Sequence, residues 1–155
     1  MRLDESHPMN QLVLKYLRGR EHLLFKPEPI LSWDEHPDPY RQAGSHPDVV
    51  ERVWDVLGAS LPVDCRALVY GAPALVYSRE GVVLAVAYGT RYAIRVPDES
   101  INEALKVGRR TVQEWSGGGM TDLEEEGGQD WVFGAWIEEE KEWLARVYES
   151  LESAK

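Results

Sequence analysis

The stretch from residue 67 to residue 97, ALVYGAPALVYSREGVVLAVAYGTRYAIRVP, constrains the fold more than any other part of the chain. Its apolar runs are separated only by short Gly-containing turns, a pattern that reads as adjoining antiparallel strands. Strands are expected over residues 66–70, 74–78, 82–88 and 91–96. Gly89-Thr90 is a two-residue loop with Gly in the first central position, which suits a type II′ hairpin turn. Counting back from it pairs Tyr88 with Arg91, Ala87 with Tyr92 and Ala85 with Ile94. Val83, Ala85, Ala87, Tyr92, Ile94 and Val96 then share the core face. The other face gathers Val82, Leu84, Val86, Tyr88, Arg91, Ala93 and Arg95, which is too apolar to stand in water. A cover is expected there, supplied by the N-terminal strap or by a second copy of the chain, and the strap is favoured because it acts in cis.

The flanks divide the chain into a 1–46 extension and a 47–155 α+β domain. Residues 1–47 hold all four histidines and six of the nine prolines. A short helix is expected over residues 10–25, with Leu12, Val13, Tyr16, Leu17 and Leu24 as its apolar stripe, and a Pro-rich strap over residues 26–47. Ser45 resembles the start of a capping box for a helix that carries Val49, Val50, Val53, Trp54 and Leu57 and stops at Gly58. After Pro97, Asp98 is placed to cap a helix with Ile101, Ala104 and Leu105 that ends at Gly108. A strand over 111–115, a Gly-rich acidic loop over 116–130 and a strand over 131–136 follow. A final helix over 137–153 carries Ile137, Leu144, Val147, Tyr148 and Leu151 along one stripe. The expectation is an antiparallel meander sheet with helices packed on one face.

Charge is unevenly spread. Of the net −10, residues 111–155 contribute twelve acids against three bases, while residues 1–110 are nearly balanced at fifteen against fourteen. Such a C-terminal field repels phosphate backbones and anionic lipid and attracts a basic protein partner or a cation. The single Cys65 forms no internal disulfide, and no long apolar run follows a basic start, so a reducing cytoplasm is the expected setting. No apolar stretch is long enough to span a bilayer.

Chemistry-bearing motifs are sparse. No nucleophile elbow, phosphate loop, zinc spacing or dinucleotide fingerprint occurs, so no catalytic residue, metal site or cofactor is assigned. Asp122, Glu124 and Glu126 before Gly127 imitate the first half of a calcium loop, but Phe133 stands where the closing bidentate Glu belongs. His7, His36 and His46 each precede proline, at spacings that match no zinc ligand set. Cys65 follows Asp64, whose charge discourages the thiolate, and reads as structural. Gly117-Gly118-Gly119 lacks the Lys-Ser/Thr of a phosphate loop and reads as a hinge. Trp115, Trp131, Trp136 and Trp143 flank the acidic loop, and the meeting of Trp115, Trp131 and that loop is a candidate ligand or partner surface. Arg91, Arg95 and Tyr88 on one sheet face form a second candidate, suited to a phosphate or an RNA base.

Taken with their order, several segments resemble the MmcQ/YjbR family and the related TfoX N-terminal domain over about residues 48–153. They are Gly71 and Pro73 before the strand Ala74 to Tyr77, then Val82 to Ala87, Arg91-Tyr92-Ala93-Ile94-Arg95-Val96, Asp130-Trp131-Val132, and Trp143 to Leu151. The resemblance implies a frataxin-like α+β fold and a non-enzymatic domain, with nucleic-acid binding often suggested for its members. Two departures are the N-terminal extension and the acidic Gly-rich loop, and the second disfavours nucleic acid here.

Three functions follow as expectations. The first is a non-enzymatic interaction or regulatory domain, monomer or homodimer, whose acidic C-terminal surface contacts a basic partner. The second is a nucleic-acid-associated regulator using the Arg91/Arg95 face. The third is a small-ligand binder or enzyme with a pocket between sheet and strap, where His36, His46 and Arg95 converge.

Overall fold

A computed structural model describes residues 2–18, 28–35, 37–41, 45–97, 100 and 131–154. Its centre is a six-stranded antiparallel sheet in simple sequential order, confirming the α+β expectation. The strands are β1 (Ile30–Ser32), β2 (Arg66–Val69), β3 (Ala72–Tyr77), β4 (Val82–Tyr88), β5 (Arg91–Arg95) and β6 (Trp131–Phe133). The expected β4–β5 register holds: Ala85 faces Ile94, Ala87 faces Tyr92 and Tyr88 faces Arg91. Gly89 has φ +62°, as a type II′ turn requires of its first central residue. Tyr70 and Gly71, both at positive φ, close the turn between β2 and β3.

The face assignment of β4 needs correction. Leu75 pairs with Ala85 but the next residue, Val76, pairs with Val83, so Leu84 is an extra residue in β4. Such a bulge turns the strand over. Val82, Leu84, Ala85 and Ala87 all lie in the core on the first face, and Val83 joins Val86 on the second. Simple alternation put Val83 on the first face, and Val82 and Leu84 on the second.

Each sheet face has its own cover. On the first, Val49, Val50, Val53, Trp54 and Leu57 of a helical segment and Trp143, Leu144 and Val147 of the C-terminal helix pack against Leu75, Tyr92 and Ile94. The helical segment starts as α2 (Pro47–Glu51), widens into a π-helical turn over Arg52–Val56 and tightens over Leu57–Ser60. Its cap is not Ser45. His46 Nδ1 accepts from Asp48 N at 3.1 Å, with Pro47 in the first helical position. His7-Pro8 starts the short turn before α1 (Gln11–Arg18) in the same way, with His7 Nδ1 accepting from Met9 N. The C-terminal helix, α3, runs Glu139–Ser153, slightly shorter than expected. Of the helix expected over 98–108, only Ser100 is described, and the 111–115 strand and the 116–130 loop lie outside the described residues.

The second face is covered in cis mainly by the N-terminal helix, with Ile30 of the Pro-rich strap packed beside it. Val13, Leu14 and Leu17 of α1 pack on Ala67, Ala74, Val76, Val83, Val86 and Ala93. The expected stripe named Val13 and Leu17 but missed Leu14, and residues 19–25 lie outside the described residues. The strap contributes β1 and then sets Trp33 and Tyr40 edge-on against Trp54, at ring separations of 6.0 and 5.2 Å. Tyr40 OH donates to Asp55 at 2.8 Å, and Arg66 reaches the same carboxylate at 3.1 Å. Along the outer edge of β1, the Ser32 amide donates to the Glu35 carboxylate at 2.8 Å.

Two polar side chains lock α1 to the bulged strand. Asn10, with no exposed surface, accepts from Val83 N at 2.9 Å and donates to Gly81 O at 2.7 Å and Asp4 O at 2.8 Å. Arg95 Nε donates to Val83 O at 2.7 Å, its Nη2 reaches Met9 O, and its guanidinium lies 4.6 Å from the Trp131 ring centre. Both peptide groups of Val83 are thus satisfied by side chains. Gly81, at φ +69°, lets the N-terminal chain approach closely, since a Cβ there would fall 2.4 Å from Asp4 N. Replacing Asn10 by Ala leaves the Val83 amide buried without its partner, and the Gly81 carbonyl with only the Asp4 amide. The variant is expected to lose about 1–3 kcal/mol of stability, read as a lower urea midpoint at an unchanged slope.

Candidate functional site

Three segments converge at the edge of the first face: the 47–56 helical segment, β5, and residues 134–140 leading into α3. Arg52, Tyr92 and Glu140 meet there, all buried. Arg52 Nη2 donates to Glu140 Oε1 at 2.9 Å and to Ile137 O at 2.7 Å, and Arg52 Nε donates to Tyr92 OH at 3.2 Å. Tyr92 OH in turn donates to Glu140 Oε1. The second carboxylate oxygen of Glu140 accepts from Ala135 N at 2.7 Å. Burial opposes the Arg52 charge, yet its bonds to Glu140 and Tyr92 prevail and hold the guanidinium above its ordinary range. Burial first, and the Glu140 charge second, push the Tyr92 phenol well above its ordinary value.

This network fixes an unusual neighbour. Trp136 has φ +60° and is 51% exposed, although a bulky side chain disfavours that left-handed backbone by about 1–3 kcal/mol. Its amide donates to Tyr92 OH at 2.9 Å, and its ring stands edge-on to Tyr92 at 5.4 Å with the Arg52 guanidinium 5.7 Å away. Gly134 makes the approach possible: its amide donates to Tyr92 O at 2.7 Å, and a Cβ there would lie 2.0 Å from the Tyr92 ring. Beside Trp136 runs an open groove of about 330 Å³ lined by Asp48, Glu51, Arg52, Val56 and Trp136. Asp48 and Glu51 are exposed, and among the described residues neither makes an ion pair with Lys or Arg.

The residues singled out from sequence are placed elsewhere. Arg95 is 2% exposed and Trp131 1%, stacked together under α1, so the expected Arg91/Arg95 surface is not open to a ligand through Arg95. An alternation rule assigns Arg95 to the second face correctly, but that face is closed. Arg91, at the start of β5, is half-buried. The Tyr88 side chain, Trp115, Asp122, Glu124 and Glu126 lie outside the described residues. Of the expected pocket, His46 caps α2, α1 packs against the sheet face that carries Arg95, and His36 lies outside the described residues, as does His22, while His7 caps the turn before α1. Among the described residues no group of three or more His, Cys, Asp or Glu is placed to hold a metal ion. Cys65 is buried, and desolvation with the charges of Asp64 and Glu152 pushes its thiol up to about 12. No helix of the described residues is long and apolar enough to cross a membrane.

Arg52, Tyr92, Trp136 and Glu140 were not singled out as a group. Glu140 sits in a run of exposed acids, and Trp136 ends a stretch read as strand. The available signal was Arg52, a charge flanked by the helical core positions Val49, Val50 and Val53, which requires a buried counter-ion. Compared with family models, curated proteins and solved structures, the chain matches none.

Removing the counter-ion tests the network. Glu140→Gln leaves the Arg52 charge buried without its carboxylate and is expected to destabilise the fold by about 3–5 kcal/mol in urea unfolding. The tyrosines set an alkaline limit. Tyr148, burdened by burial and its bond to Glu152, is raised to about 12, and Tyr92 is raised as well. Since their folded values exceed the unfolded ones, their stabilisation is complete below about pH 10 and is lost as pH climbs through 12. Phenolate absorbance from Tyr92 and Tyr148 should therefore appear together with loss of tertiary signal, not before it.

Proposed function

We propose that the chain is a non-enzymatic interaction domain that engages a basic protein partner through its acidic surface, with the Trp136 groove as the point of contact. The observation that carries the reading is the exposed indole, held in a costly backbone conformation by a buried network beside two exposed carboxylates. Aromatic side chains anchored this way are enriched at binding hot spots, and an acidic rim selects partners of opposite charge. Exposed Glu138 and Glu139 follow directly and extend the negative field. The buried groups support a binding role over a catalytic one: Arg52 and Tyr92 are committed to Glu140 and to backbone atoms, which fix shape.

The resemblance to the MmcQ/YjbR family, and with it a frataxin-like arrangement, belongs to this proposal, as does a reducing cytoplasmic setting. The sequential meander followed by a terminal helix supports the first, and the single buried cysteine supports the second. Nucleic acid is the less favoured partner, because Arg95 is enclosed and the C-terminal third is strongly acidic.

Binding of the full chain to an arginine- and lysine-rich polypeptide, followed by calorimetry, tests the reading. Affinity should fall steeply between low and moderate salt, and Trp136→Ala should weaken it about tenfold or more at constant stability. Equal binding by the variant, or no binding at low salt, would sink the proposal.

A further inference from the structure

The groove has five lining residues, and they combine negative charge, an aromatic ring and an apolar patch. Asp48 and Glu51 are three residues apart on one helical turn, so their carboxylates project from the same side. Trp136 supplies a half-exposed aromatic surface, and Val56 a short apolar patch. Arg52 lies at the buried side, but Glu140 at 2.9 Å neutralises it and the rings of Tyr92 and Trp136 flank it at 5.9 and 5.7 Å. The negative charge of the groove is therefore that of Asp48 and Glu51.

We infer that this groove seats a single arginine side chain of the partner. The inference rests on the binding role proposed above and specifies its ligand. A guanidinium is planar, stacks on an indole and presents paired N–H edges to carboxylates, whereas an ammonium is a compact, strongly hydrated charge that gains less at an open aromatic site. Asp48 and Glu51 accept the N–H edges, Trp136 carries the plane and Val56 meets the methylene stem. The pairing that Arg52 makes inside the protein, guanidinium against Trp136 with a carboxylate at its edge, is repeated from outside by the partner's arginine.

The test uses the isotopically labelled full chain and three short peptides that differ only in a central arginine, lysine or citrulline. The arginine peptide should shift the Trp136 indole resonance and the amides around Asp48 and Glu51. It should bind at least about fivefold more tightly than the lysine peptide. The citrulline peptide, isosteric but uncharged, should produce no shift. The double variant Asp48→Asn, Glu51→Gln changes exposed side chains only and should abolish the arginine response with the folded spectrum intact. Equal binding of arginine and lysine, or an arginine response away from Trp136, overturns the inference. If the basic polypeptide still binds in a Trp136-dependent way, the interaction role survives that result. Loss of Trp136 dependence for the polypeptide instead removes the broader reading.

Discussion

A sheet that is apolar on both sides has to be closed twice, and that requirement organises the molecule. The 47–57 helical segment and α3 close one face, and α1 closes the other. Both covers are fastened by buried polar groups: Asn10 and Arg95 on the α1 side, Arg52 and Glu140 on the other. Hydrophobic contact alone is non-directional. Hydrogen bonds to particular peptide groups at the β4 bulge determine where α1 sits, because a shifted helix would strand the Val83 amide without its Asn10 partner in a dry interior.

The two polar clusters differ in their relation to solvent. Arg95 is spent entirely inside: its nitrogens reach backbone carbonyls, its plane lies on Trp131, and nothing of it is left for a ligand. Arg52 occupies the rim of the structure. The groups that neutralise it also hold residues 134–136, and so orient Trp136 at the surface. Rigidity beneath an exposed aromatic ring reduces the entropy lost when a partner lands on it.

Much of the sheet was legible in the sequence because turns report register locally. Gly89-Thr90 placed three residue pairs correctly, and the alternating run from Arg91 to Val96 needed no further information. The bulge at Leu84 was invisible, since Val82, Val83, Leu84 and Ala85 are all apolar and alternation cannot show an inserted residue. His46 as a cap was concealed by the more familiar Ser45 next to it. The candidate site was less legible still. Arg52 and Glu140 are 88 positions apart, and only the packing of α3 across the sheet brings them together. Arg95, singled out for its basicity, is enclosed, because a cation's surroundings, not its identity, decide whether it faces a ligand.

The edge of β1 has a consequence for how the protein behaves in a crowded solution. An open strand edge offers amides and carbonyls to any passing chain and can seed ordered aggregates. Here the Glu35 carboxylate occupies the Ser32 amide, and Pro29 before the strand carries no amide to donate. A foreign strand approaching that side meets negative charge where it needs a hydrogen-bond donor. Among the described residues β1 is the outermost strand on that side, and the group that shields its edge comes from the Pro-rich segment that follows α1.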